Sequence, residues 1–325
     1  MLHSPKKLRV AVLLGGPSEE HEVSLKSGEQ VLKYLNPELY EPVRVLIART
    51  GEWEIPAKKL KNYADVAFVA LHGPYGEDGT VQEVLESVGI PYTGSGAKES
   101  AFAMNKFLTT RHLREAGVNV PMDFLVTDSD WREKPLGILQ RIKHYFGYPV
   151  VAKPNNNGSS VGVTIVSNEG QLTPAFNEAF NVSREALIQE FIRGRELTCG
   201  VLDRGSAGTE FALLPTEIVP RVSRFFDYKA KYEEGGSEEV TPPRDLPDSV
   251  VKRIRETALQ VHRLLGSRGF SRVDMILDEK GELIVLESNT IPGLTAQSLL
   301  PKAALASGIT FSELVDRLIH AAFLK

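Results

Sequence analysis

Apolar runs and helical spacing alternate from the start of the chain. Leu8 to Leu14 is apolar and rich in β-branched residues, Gly15-Gly16-Pro17 interrupts it, and Val23 to Leu35 carries helical apolar spacing. The pattern predicts strand, glycine turn, helix. Val43 to Ala48 and Val66 to Leu71 are short unbroken apolar runs, as in strands covered on both faces. The first hundred residues therefore read as α/β.

A second unit begins around Ala103, with strands near Pro149 to Lys153, Val161 to Val166 and Ala186 to Phe191, and a helix from Glu169 to Phe180. Past Arg193-Gly194-Arg195, strands are predicted near Glu196 to Leu202 and Glu210 to Leu214. Phe225 to Asp245 is charged and holds Gly235-Gly236 and Pro242-Pro243, so it reads as a long functional or mobile loop able to serve as a lid. Val250, Ile254, Ala258, Val261 and Leu265 then mark one face of a helix. Ser271 to Leu277 and Glu282 to Glu287 predict a hairpin whose turn ends at Gly281, where a glycine supplies a positive φ. The expected units are 1–103, 104–193 and 194–325.

Composition narrows the class. A chain of 325 residues suits two or three packed units. Hydrophobic residues at 42% with charged residues at 25% place it among globular proteins. The net charge of −4 gives no global positive field for nucleic acid or an anionic membrane. Cys199 is the only cysteine, which excludes an intramolecular disulfide and fits a reducing cytosol. Val10 to Leu14, the longest early apolar run, is too short for a membrane span or a signal peptide. A cytoplasmic protein with no nucleic-acid or membrane partner is expected.

Four clusters carry candidate chemistry. Lys153 to Gly162 is a polar, glycine-containing loop between two β segments. Its small residues let N–H groups approach phosphate oxygens, while an ordinary polar hairpin is the alternative. Strand alternation puts Arg272 with Asp274 on one face and Glu287 with Asn289 on one face of the neighbouring segment. Such a hard-oxygen set suits magnesium carrying phosphates, with Arg272 beside it, against the alternative of a solvated salt bridge. His72 to Gly79 leaves a strand and enters a helix near Thr80, the position of many active-site loops in α/β folds. Pro292-Gly293 precedes a helix start at Ser298, which reads as a carboxylate pocket or a plain helix cap. The seven histidines form no i, i+4 pair, which argues against a zinc motif.

The order of these pieces is more specific than any one of them. Gly15-Gly16 with Glu22-Val23-Ser24, the His72 to Gly79 loop, Gly94-Ser95-Gly96, Lys153 with Gly158 to Gly162, Tyr228 to Tyr232, Arg272-Val273-Asp274 and Glu287 to Leu299 follow one another along the chain. In this the chain resembles the D-alanine:D-alanine ligases of the ATP-grasp superfamily over nearly its full length. The resemblance implies a three-domain α/β ATP-grasp ligase, with an N-terminal parallel-sheet domain and two α+β domains gripping ATP. It also implies ligation of two D-alanine molecules through a D-alanyl phosphate for peptidoglycan synthesis, two Mg2+ (or Mn2+) ions, and a homodimer.

The same resemblance assigns residues. Lys106, Lys153 and Lys231 match phosphate-contacting lysines, and Ser159 and Ser160 lie in the loop that closes over ATP. Glu196 matches the ribose-binding carboxylate, with Glu190 and Ile192 in the ATP-binding segment. Gln189 stands where the family often has a glutamate contacting the adenine amino group, and Asn157 where some members have glutamate. Asp274, Glu287 and Asn289 match metal ligands, and Arg272 with Gly293 match the oxyanion stabilisers. Glu22 matches the carboxylate that receives the first D-alanine's ammonium, and with Ser159 and Tyr232 a trio tying the moving loops together. His72, Ser298 and Leu299 fall in the substrate pocket. Tyr232 matches the dipeptide-forming members rather than those that join D-alanine to D-lactate.

Overall fold

The computed structural model describes residues 6–158, 161–203, 209–220 and 236–324. Three sheets organise them. In the first, β1 (Leu8–Gly15) runs parallel between β2 (Tyr40–Ile47) and β3 (Val66–Val69). Val10 to Leu13 are wholly buried, as the unbroken apolar run requires of a strand covered on both faces. The helix His21–Tyr34 follows β1 and lies close against it. A Cβ on Gly28 would come within 2.5 Å of Leu14 Cβ, so the absence of a side chain there sets the approach. Because the sheet is parallel, the loops leaving β1 and β3 emerge on the same edge. The Ser18 hydroxyl ties them by donating to the His72 carbonyl oxygen at 2.7 Å.

The second sheet is antiparallel, with β4 (Asp123–Thr127), β5 (Val150–Pro154), β6 (Thr164–Val166) and β7 (Glu185–Glu190) in the order β4-β7-β5-β6. Phe124, Val126, Val150, Ala152, Ala186 and Ile188 form one core with Ile138, Ile142, Leu172 and Phe176 of the helices Pro135–Tyr145 and Leu172–Val182. Alternation leaves Val151, Lys153 and Gln189 on the opposite face.

The third sheet contains β8 (Gly194–Leu202), β9 (Phe211–Ala212), β10 (Thr216–Pro220), β11 (Ser237–Val240), β12 (Phe270–Asp278) and β13 (Leu283–Asn289). Its order is β11-β10-β8-β12-β13, with β9 also on β8. The helix Asp248–Leu264 buries Ile254, Ala258 and Val261 in a cluster with Leu197, Cys199, Val273, Met275 and Val285.

The chain is thus mixed α/β, as its pattern predicts, with local corrections. Within the segment expected as a lid, Ser237–Val240 is a strand paired with β10. Its sequence Ser-Glu-Glu-Val offers no apolar alternation to reveal it. The strands expected over Val161 to Val166 and Glu210 to Leu214 shorten to Thr164–Val166 and Phe211–Ala212. The largest core is shared between the ends of the chain. Leu300, Ala304, Leu314 and Leu318, from the helices Leu299–Ala306 and Phe311–Ala321, join Val10, Val12 and Phe68 in one cluster.

Candidate active site

The two antiparallel sheets face each other across a cavity of about 880 Å³, lined by Lys153 and Gln189 on one side and Glu196, Arg272 and Asp274 on the other. A second cavity of about 240 Å³ lies toward the loops of the parallel sheet. Arg272 and Leu299 line both.

The wall between them is the β12–β13 hairpin. Arg272 pairs in register with Asn289, and Asp274 with Glu287, before a register shift after Asp274. This is the juxtaposition that alternation predicts. Arg272 donates through Nε and Nη2 to the two oxygens of Asp274 at 2.8 and 2.7 Å. Asp274 also accepts from Thr198 Oγ1 at 2.6 Å and Asn289 Nδ2 at 3.1 Å. Burial disfavours the charge on Arg272, but Asp274, Glu287 and Glu77 outweigh it and hold its pKa above the ordinary value. With Arg272 only 9% exposed, the pair is a buried one, and removing either partner would strand the other's charge.

Two lysines bring positive charge to the larger cavity. Lys106 opens the helix Lys106–Glu115, whose start Asn105 caps by accepting from Leu108 N. Asn155, at the end of β5, accepts from Lys106 N through its carbonyl and from Phe107 N through Oδ1. The Lys106 ammonium donates to the Asn157 carbonyl oxygen and lies 3.3 Å from Glu287 Oε2. Burial pushes the Lys153 ammonium down to about 8, with Lys106 adding repulsion and Glu287 and Asp123 opposing both. Two neighbouring ammonium groups, one of them fully desolvated, give this part of the cavity donors suited to phosphate oxygens.

The donor set on the ledge is two carboxylates and an amide. Among the described residues no three His, Cys, Asp or Glu side chains gather into a cage. Hard oxygens on one wall, beside lysines and an arginine, fit a magnesium ion that arrives with phosphate oxygens supplying the rest of its shell. Asp274 already serves four donors, and Glu287 opposite it is more open, at 29% side-chain exposure.

Gln189, Glu190, Ile192 and Glu196 all line the larger cavity. Glu190 Oε1 accepts from Met122 N at 2.7 Å, which commits it to holding β4 against β7. In the smaller cavity His72 is 3% exposed. Its Nε2 lies 2.8 Å from Ser27 Oγ, and its Nδ1 3.1 Å from the Ile291 carbonyl oxygen. Gly293, Ser298 and Leu299 line the same space. A Cβ on Gly293 would meet Ser298 Oγ at 2.7 Å. Ser298 occupies the N-cap position of its helix without capping it; its hydroxyl accepts from Thr295 N instead.

One expected residue is misplaced. Glu22, assigned to the substrate ammonium, has a side chain 68% exposed and paired with Arg49 at 3.1 Å, outside both cavities. It sits one residue inside the helix, on the face turned to solvent. Glu20, just before the helix, lines the smaller cavity, and its N–H donates to Ser18 Oγ. The signal available in the sequence was its place two residues after Ser18, at a helix start beneath a strand end. Ser159, Ser160, Lys231 and Tyr232 lie outside the described residues.

Two antiparallel sheets closing on a cavity with buried lysines and an oxygen-bearing hairpin define the ATP-grasp class. The N-terminal model of D-ala D-ala ligases matches residues 9–63 and 54–95, and the C-terminal model residues 112–320. A D-alanine–D-alanine ligase of Geobacter sulfurreducens is 43% identical over 98% of this chain and 96% of its own. One of Syntrophobacter fumaroxidans is 44% identical over 98% and 99%. Among solved structures, the VanG D-Ala:D-Ser ligase of Enterococcus faecalis matches at a TM-score of 0.86 and 31% identity, covering 98% of this chain and 100% of its own. The D-alanine–D-alanine ligase of Bacillus anthracis complexed with ATP matches at 0.78 and 32%, covering 97% and 96%. The chain belongs to the D-alanine–D-alanine ligase family, and is an ATP-dependent ligase. Among its described residues no helix is long and apolar enough to cross a membrane.

Proposed function

We propose that this chain condenses two D-alanine molecules through a D-alanyl phosphate, with ATP in the larger cavity and the amino acids in the smaller one. The observation that carries this reading is Arg272, which lines both cavities while paired with Asp274, so that a phosphate end and a carboxylate end can meet at it. Residues 104–193 and 194–325 supply the nucleotide side, and 1–103 the amino-acid side together with Arg272, Gly293, Ser298 and Leu299. The setting is the cytoplasm, where the dipeptide enters peptidoglycan synthesis, and the assembly a homodimer.

In this reading Glu20 receives the ammonium of the first D-alanine. A carboxylate oxygen of that molecule attacks the γ-phosphorus of ATP, the bond to the β-phosphate oxygen breaks, and ADP leaves. Lys106 and Lys153 hold the phosphates, and Glu196 the ribose. Asp274, Glu287 and Asn289 would hold magnesium, which when bound would supply positive charge against the oxygens of the transferred group. The amine of the second D-alanine, having lost a proton, attacks the acyl carbon. Arg272 and the Gly293 N–H stabilise the oxyanion until phosphate departs. Ser298 and Leu299 hold the second carboxylate.

The test uses D-alanine labelled with 18O in its carboxyl group, with ATP and Mg2+. One labelled oxygen should appear in the released phosphate, alongside a product with the mass of the dipeptide, and chelation of the metal should stop both. Unlabelled phosphate, or a preference for D-serine or D-lactate as acceptor, would overturn the reading.

A further inference from the structure

Gln189 is a buried amide without a task in the fold. On β7, Ala186 and Ile188 enter the core of the second sheet, so alternation turns Gln189 to the other face, where it lines the larger cavity. It is 2% exposed, and its Nε2 has no hydrogen-bond partner among the described residues. Its neighbours in register are Val151 and Asp123. The Asp123 carboxylate is already engaged by Thr110 Oγ1 at 2.6 Å and Arg114 Nη2 at 3.3 Å. Leaving a buried donor unpaired is unfavourable, and a ligand acceptor would relieve it.

The cavity indicates which ligand group that is. Lys106, Lys153 and Arg272 are among the cations that line it, with Arg193 and Arg195, and Val151, Ile165, Ile276 and Leu286 add apolar surface that suits a flat ring. We infer that Gln189 sets the base selectivity of the nucleotide site, and that its amide admits a 6-oxopurine nucleotide beside an adenine one. The inference rests on the nucleotide reading above. Adenine carries an amino donor at C6, whereas hypoxanthine carries a carbonyl acceptor there. An ionised carboxylate at this position can only accept, so it would repel the carbonyl. A primary amide accepts through Oε1 or donates through Nε2, and a half-turn of its terminal torsion exchanges them.

The test compares equilibrium binding of ADP and IDP to the full chain by titration calorimetry at pH 7.5, followed by turnover with ATP and ITP. Wild type should bind IDP within about tenfold of ADP. Gln189→Glu should keep ADP affinity and widen the gap by about tenfold or more. Gln189→Met, which can neither donate nor ionise, should weaken both ligands together. A wild-type preference for ADP beyond about tenfold, or a ratio that Gln189→Glu leaves unchanged, overturns the inference. Failure of wild type to bind either diphosphate overturns instead the nucleotide reading beneath it.

Discussion

Glu20 and Glu22 stand two residues apart and meet opposite surroundings. The first follows Ser18, whose hydroxyl accepts from the Glu20 N–H while donating to the His72 carbonyl, and it faces the smaller cavity. The second faces solvent and Arg49. An exposed pair of that kind contributes little, whereas a charge-assisted contact to a bound ammonium is worth roughly 1.5–3 kcal/mol. Glu20→Gln should therefore lower kcat/KM for D-alanine by about 10- to 100-fold, and Glu22→Gln should leave it within about twofold. Steady-state kinetics on the two variants decide between them; the reverse ranking would return Glu22 to the site. Chain order made the helix start recognisable, but not which of two nearby glutamates turned inward. That depends on a hydrogen bond from a loop 54 residues away.

Among elements, the β12–β13 hairpin was the most legible. Period-two alternation fixes the faces of Arg272, Asp274, Glu287 and Asn289, and the pairing follows because antiparallel strands share a turn. β11 was illegible, because a strand of intermediate exposure throughout has no apolar face to betray it. The helix His21–Tyr34 shows a third case, where the element was predictable and its depth was not. Gly28 lets it sink onto Leu14, which carries Ser24 and Ser27 to His72. Gly28→Val should overpack this contact by about 1–3 kcal/mol, lowering the thermal midpoint of a 325-residue chain by about 1–2 °C per kcal/mol. The substitution should also raise KM for D-alanine, because the serines that hold His72 move with the helix. An unchanged midpoint in a thermal scan would mean that the helix is not seated by this glycine.

At the scale of the whole molecule, sequence order and core membership part company. The C-terminal helices follow the third sheet in the chain, yet Leu314 and Leu318 share a core with the first. The second sheet has an apolar cluster of its own. Periodicity could mark Phe311–Ala321 as amphipathic without naming the sheet that would cover it, since its partners lie some 300 residues earlier and a pattern carries no address. The smaller cavity is therefore built on a body joined from both ends of the chain, with His72 from one end and Ser298 from the other. Leu318, 1% exposed, tests that joint. Leu318→Ala should destabilise it by roughly 2–5 kcal/mol through lost contacts and a residual cavity. Hydrogen exchange should then quicken at β1 and β3 as well as in the last helix, while β5 and β7, held by their separate core, keep their protection. Faster exchange confined to the last helix would show that its contact with the parallel sheet does not hold the two ends together. Equal acceleration in all three sheets would show one cooperative unit, in which the second sheet has no stability of its own.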